Sequence, residues 1–153
     1  MDPAYGTANN QSLDNGTGRD EFVRTHDEFH GRKRSDSVIL RSPSGTRFAK
    51  VIKMYDVPFQ RSTYTIALVQ GFRLAALSEY TASDRVTGFR LLQLESPQQT
   101  FFVPVSEFIR RAFIVPVSDP PRPSYHLLND VIDTDMFFRL QVVSDSLSSQ
   151  LIM

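Results

Sequence analysis

The chain has no cysteine among its 153 residues. That excludes both a disulfide framework and a thiolate zinc site, and it fits a reducing compartment. No apolar run approaches the ~18–20 residues that a bilayer-spanning helix needs. The opening MDPAYGTANN is polar and begins acidic, so it does not read as a secretory signal. Glycine is scarce, with 7 residues, and none clusters into a phosphate-cradling loop. An excess of either charge is also missing, with 17 basic against 17 acidic residues. A protein built mainly to hold duplex DNA carries a surplus of Lys and Arg, so any nucleic-acid contact here must be local.

The charge that is present is unevenly spread. Residues 1–31 carry six acids and two bases, whereas residues 32–53 carry seven bases and only Asp36. Residues 119–153 turn acidic again, with five acids and two bases. Hydrophobic content of 41%, with 12 Phe and 5 Tyr, suffices for one core once the polar N-terminus is set aside. The expected organisation is a disordered tail over 1–21, a single domain over 22–141 and a C-terminal tail over 142–153.

From Ser37 onward the pattern is that of strands. SVILR (37–41), a turn at SPSG (42–45) and TRFAKVIKMYDV (46–57) read as a hairpin with a bulge near Val51. In its second strand Phe48, Val51 or Ile52, and Met54 are expected on one face, with Arg47, Lys50 and Lys53 on the other. STYTIALVQGFR (62–73) predicts a central strand covered on both sides, and GFRLLQLE (88–95) a further one. LAALSEY suggests a helical turn and TASDRVTG a loop. FFVPV (101–105) reads as an edge strand because of Pro104. SEFIRR (106–111) suggests a short helix with Phe108 and Ile109 inward and Arg110 and Arg111 outward. AFIVPV (112–117) returns to strand, SDPPRPS (118–124) reads as a stiff loop, and YHLLND (125–130) as a last strand. DTDMFFRL (133–140) suggests a helix capped by Asp133 or Thr134. Six or seven short strands at near-regular spacing predict an all-β fold with one or two short helices, a small and partly open barrel.

Four groups of residues invite a chemical reading. His26 and His30 have the spacing of a metal pair on a helix, but Asp27 stands where the metalloprotease motif needs Glu. Residues 22–31 fit a short helix or an extended strand equally well. Asp130, Asp133 and Asp135, with His126 upstream, form the densest carboxylate cluster, and capping explains the last two without a cation. Arg32, Lys33 and Arg34, followed by Arg41, Arg47, Lys50 and Lys53, form a basic stretch suited to phosphate or an acidic partner. The first three also resemble a short nuclear-localisation signal. Tyr55, Phe72, Tyr80 and Phe89 are candidates for an aromatic pocket of the kind that holds methylated lysine. No catalytic residue, cofactor, metal or small-molecule substrate is indicated.

Five blocks taken together are more specific. HGRKRSDSVIL (30–40), FAKVIKMYDV (48–57), TYTIALVQGF (63–72), FIRRAFIVPV (108–117) and DVIDTDMFFRL (130–140) resemble a domain of transposon-encoded proteins of mushroom-forming fungi. It lies near the C-terminus of transposase-like reading frames of the Kyakuja-Dileera-Zisupton and related types. The resemblance spans residues 22–140 and departs at LAALSEYTASD (74–84), where the family often carries more charge. More distantly the chain is similar to the β-domain of plant CACTA transposases and to the SH3-like barrels of bromo-adjacent-homology modules. The resemblance implies a non-catalytic accessory domain in the nucleus that contacts a protein or chromatin partner, with DNA binding through the basic hairpin as the alternative.

Overall fold

The computed structural model describes residues 9–14, 20–29, 32–118 and 121–129. They are strand-dominated, as the alternation predicts. One antiparallel sheet contains β1 (Asn9–Asp14), β2 (Asp20–Phe29) and β3 (Arg32–Ser35). The other contains β4 (Ser37–Ser42), β5 (Gly45–Phe59), β6 (Ser62–Leu74), β7 (Arg90–Leu94), β8 (Thr100–Pro104), β9 (Phe108–Ala112), β10 (Ile114–Ser118) and β11 (Pro121–Leu128). Short 3-10 turns lie at Leu77–Glu79, Pro97–Gln99 and Val105–Glu107, and the single described α-helix, α1, is Ala82–Thr87.

The order across the larger sheet is β10-β11-β7-β6-β5-β4-β9, with β8 also paired to β6. Its two edge strands, β9 and β10, are consecutive in the chain and separated only by Phe113. The sheet therefore curls back on itself without closing. The inner face of the curl gathers Ile39, Phe48, Phe72, Leu92, Ala112 and Leu128, with Ile114 packed against them, so each strand along that path contributes. The opposite face of β4, β5 and β6 carries Val38, Leu40, Ala49, Val51, Met54, Ala67 and Val69. It is covered by Val103, Val105 and Phe108 and by Val23 of β2. β4 to β6 thus serve two cores at once, which is why Val38, Ile39 and Leu40 are buried in succession.

A bulge sits where the broken alternation places it. Val51 pairs with Val69 and Lys53 with Leu68, leaving Ile52 as the extra residue. The bulge brings Val51 and Met54 onto one face but leaves Phe48 on the other, in the second core, contrary to the shared face expected for the three.

Several sequence expectations change. Residues 9–14, expected to be without fixed structure, form β1 through a backbone ladder that needs no apolar side chain. His26 lies on a strand, so the helical spacing to His30 does not apply. Only Val105–Glu107 is helical in the SEFIRR region, because β9 is drawn out to pair with β4. Arg110 consequently points inward and is buried. The 118–124 segment is mostly strand. Pro121 takes the first position of β11, and Pro123 falls in the register shift opposite Pro116 and Val117, both places where a missing N–H is tolerated. The expected helix at 133–140 lies outside the described residues.

TASDRVTG, expected as a loop, is a capped helix. Thr81 Oγ1 accepts from the Asp84 N–H at 3.2 Å, and the Asp84 carboxylate accepts from the Thr81 N–H at 2.8 Å. Gly88 closes the helix in the left-handed region at φ 69°. Arg122 of β11 then reaches Asp84 at 2.5 Å, with both side chains largely withdrawn from solvent. Removing one partner of such a pair leaves a buried charge uncompensated. The variant Asp84→Ala should therefore lose about 3 kcal/mol of stability in urea unfolding, and Arg122→Ala made in that background should cost little more.

Candidate functional site

The basic stretch does not assemble into one patch. Arg32, Lys33 and Arg34 belong to β3, and their side chains lie outside the described residues. Register places Arg41, Lys50 and Lys53 on the face of Phe48, and Arg47 on the face of Ala49 and Val51. Arg47 is engaged there: its guanidinium donates to Glu95 at 3.3 Å and lies 5.0 Å from the Phe101 ring centre. The pair passes over Gly71, where a Cβ would collide with the Glu95 carboxylate and come within 2.9 Å of Arg47. Arg47 also lines an open cleft of about 600 Å³ with Leu40, Arg41, Phe101, Phe102, Val103 and Glu107.

The four candidate pocket aromatics are equally dispersed. Phe72 is buried in the curled core, edge-on to His126 at 5.2 Å. The Tyr80 hydroxyl accepts from the Leu91 N–H at 2.7 Å, and Phe89 is half-buried beside the end of α1. Tyr55 stands on the β5–β6 hairpin against Phe102, with ring centres 6.1 Å apart. Asp130, Asp133 and Asp135 lie outside the described residues. Of that cluster His126 is described; burial lowers its pKa, against the carbonyl of Ser124 and with a contribution from Lys50, which favours the neutral ring. Among the described residues no three His, Cys, Asp or Glu side chains converge in a way that could hold a metal ion.

The densest set of ionisable contacts fastens segment 75–89 to the sheet. Glu79 takes both Arg73 donors at 3.0 and 2.7 Å, the Ala76 N–H at 2.6 Å and the Tyr125 hydroxyl at 2.8 Å. Arg122 donates to the Glu79 carbonyl at 3.2 Å as well as to Asp84. All the acceptors of Glu79 are thereby spoken for within the fold, which makes the cluster architectural.

The surface that is left unexplained by packing is the outer part of the β5–β6 hairpin. β4 pairs with β5 only up to Lys50, β8 with β6 only from Ile66, and β7 with β6 only from Phe72. Residues 55–65 therefore project as a two-stranded arm, turned at Gln60 with φ 55°. On one face Tyr55 pairs with Ile66 and Val57 with Tyr64, while Phe59 meets Tyr64 diagonally at 6.5 Å. Phe102 of β8 extends this row, and Lys53 lies 5.6 Å over the Tyr55 ring. Phe59, Tyr64 and Phe102 are 60%, 55% and 62% exposed. The reverse face is polar, with Thr65 donating to Asp56 at 2.7 Å.

This row continues the inner face of the curl beyond the part of β6 that pairs with β7. The sequence carries its alternation, Tyr55-Val57-Phe59 and Tyr64-Ile66. It does not carry the length of β7, and so Tyr64 reads there as a covered central-strand residue.

Two variants test this anatomy. The Glu79 carboxyl is held down to about 2, first by Arg73, then by the Ala76 N–H and Tyr125. A lowered carboxylate stabilises the fold above its ordinary pKa, and that contribution disappears as pH falls toward the lowered value. Melting temperatures of wild type and Glu79→Gln should therefore differ at pH 7 and converge between 4.5 and about 2. Gly71→Ala should cost about 1 kcal/mol in urea unfolding and much less in a Glu95→Ala background, where the obstructing carboxylate is gone. No protein-family model, no curated protein and no solved structure matches the chain.

Proposed function

We propose that this chain is a non-catalytic accessory domain of transposon-derived proteins that binds a chromatin component through the aromatic face of the β5–β6 arm. The observation that carries the reading is one row of three rings more than half exposed, Phe59 and Tyr64 on the projecting hairpin and Phe102 on β8 beside it. Rings held out in water at such density are the mark of a contact surface, since a lone monomer gains nothing by leaving them uncovered. The five sequence blocks that resemble the fungal transposon domain agree with an accessory role, and Arg32–Arg34 with a nuclear one. The alternative, a duplex-DNA patch of Arg41, Arg47, Lys50 and Lys53, is weakened because Arg47 faces away from the other three and is paired with Glu95.

The test mixes purified protein with sheared native chromatin and sediments it. Wild type should pellet with the chromatin, and Phe59→Ser/Tyr64→Ser should remain soluble with an unchanged melting temperature. The DNA should stay uncut when Mg²⁺ is present. Equal pelleting of the two proteins, or none of either, would remove the arm as the contact surface.

A further inference from the structure

Resting on that reading of the arm, we infer that the ligand of its aromatic face is single-stranded nucleic acid, whose bases stack on Phe102, Tyr55, Tyr64 and Phe59. Three properties of the face select this class.

The first is shape. Protein-docking hot spots sit in concave, desolvated pockets. Among the described residues, the cleft that Phe102 borders takes in none of Tyr55, Val57, Phe59 and Tyr64, and its apolar lining of Leu40, Phe101 and Val103 lies by register on the opposite face. A row of rings standing out from a sheet offers flat π surfaces, which a flat base can cover without concavity.

The second is spacing. The ring pairs Tyr55–Phe102 and Phe59–Tyr64 are 6.1 and 6.5 Å between centres and tilted by 59° and 56°. Tilted rings do not stack fully on each other, so Phe102, Phe59 and Tyr64 each keep a face to water, while Lys53 lies over the Tyr55 ring. Distances of this size suit successive bases of an extended strand, one per ring. In a duplex the same bases are stacked on their neighbours and out of reach.

The third is charge. Along this face, from Lys50 to Phe59 on β5, Ser62 to Gln70 on β6 and Thr100 to Pro104 on β8, register places no acidic side chain. Asp56 is on the reverse face, hydrogen-bonded to Thr65. Lys53 over Tyr55 and Lys50 beyond it lie beside the row, where a phosphate backbone would run once its bases lie on the rings. Cations beside stacking platforms are the combination that binds single strands without sequence preference.

The experiment is fluorescence anisotropy with labelled oligothymidylate and oligouridylate of about 15 nucleotides, and with a duplex of the same length. One or both single strands should bind more tightly than the duplex, and the comparison between them assigns DNA or RNA. Phe102→Ser and Tyr64→Ser should each weaken single-strand binding by about fivefold or more. Lys53→Gln should lower the salt slope of log K by about 0.7, the value for one lost single-strand phosphate contact. All three positions are exposed, and an unchanged melting temperature verifies the fold of each variant. Tighter binding of duplex, binding indifferent to Phe102 and Tyr64, or no binding at low salt would overturn the inference. So would sedimentation showing a dimer that Phe59→Ser dissolves, since the face would then belong to a second copy. Chromatin pelleting that depends on the arm, together with no oligonucleotide binding, would sink this inference and leave the proposed function standing.

Discussion

The tether at Phe113 governs this fold. Two strands that hydrogen bonding places at opposite edges of a seven-strand path are joined in the chain by that one residue. A flat sheet would hold them several strand spacings apart, at ~4.8 Å each. The sheet must roll, and rolling creates an inside. Ile39, Phe48, Phe72, Leu92 and Leu128 fill it. The short connection Val105–Glu107 between β8 and β9 does the same on the other face, folding Val103, Val105 and Phe108 over β4, β5 and β6. The three shared strands are anchored by burial on both sides, at roughly 1.5–3 kcal/mol for each large apolar side chain.

What the roll does not cover follows from strand lengths. β5 and β6 are much the longest strands, while β7, β8 and β9 are five residues each. Short partners cannot screen long ones, so the same alternating pattern that fills the core at Phe48 and Phe72 leaves Tyr64 and Phe59 in water. The unequal strand lengths are what let the arm hold its aromatic side chains in water. The polar cluster around Glu79 and Asp84 has a different task. It holds a segment poor in core residues against β6, β7 and β11, where hydrophobic burial alone offers little: Leu77 and Val86 are exposed.

Much of this was legible in the residues. Alternation located β4 to β7, and the misfit at Val51 located the bulge. SPSG gave its turn, with Gly45 at φ 116°. Legibility failed where a partner decided conformation. FIRR has helical spacing, but the unpaired side of β4 draws it into a strand and carries Arg110 inward. The Thr81–Asp84 box was readable in principle, since a side-chain acceptor three residues before an acid marks a helix start. The basic stretch shows the limit most plainly. Seven like charges close in sequence look like a patch, yet an alternating strand sends Arg47 to Glu95 on the far face. The arm was invisible for a converse reason: nothing local to YDVPF or TYTI records how far the neighbouring strands extend.

Pro58 sits near the end of the projecting hairpin, whose outer margins from Tyr55 to Thr65 have no neighbouring strand among the described residues of the larger sheet. Bare β margins beside apolar side chains are templates for runaway cross-β stacking. An imino acid offers no N–H to an incoming chain, and Asp56 and Arg61 add charge that a growing fibril would have to bury next to its own copies. The hairpin can thus keep its rings in water while resisting self-templated polymerisation, a safeguard shared between one backbone position and two flanking charges.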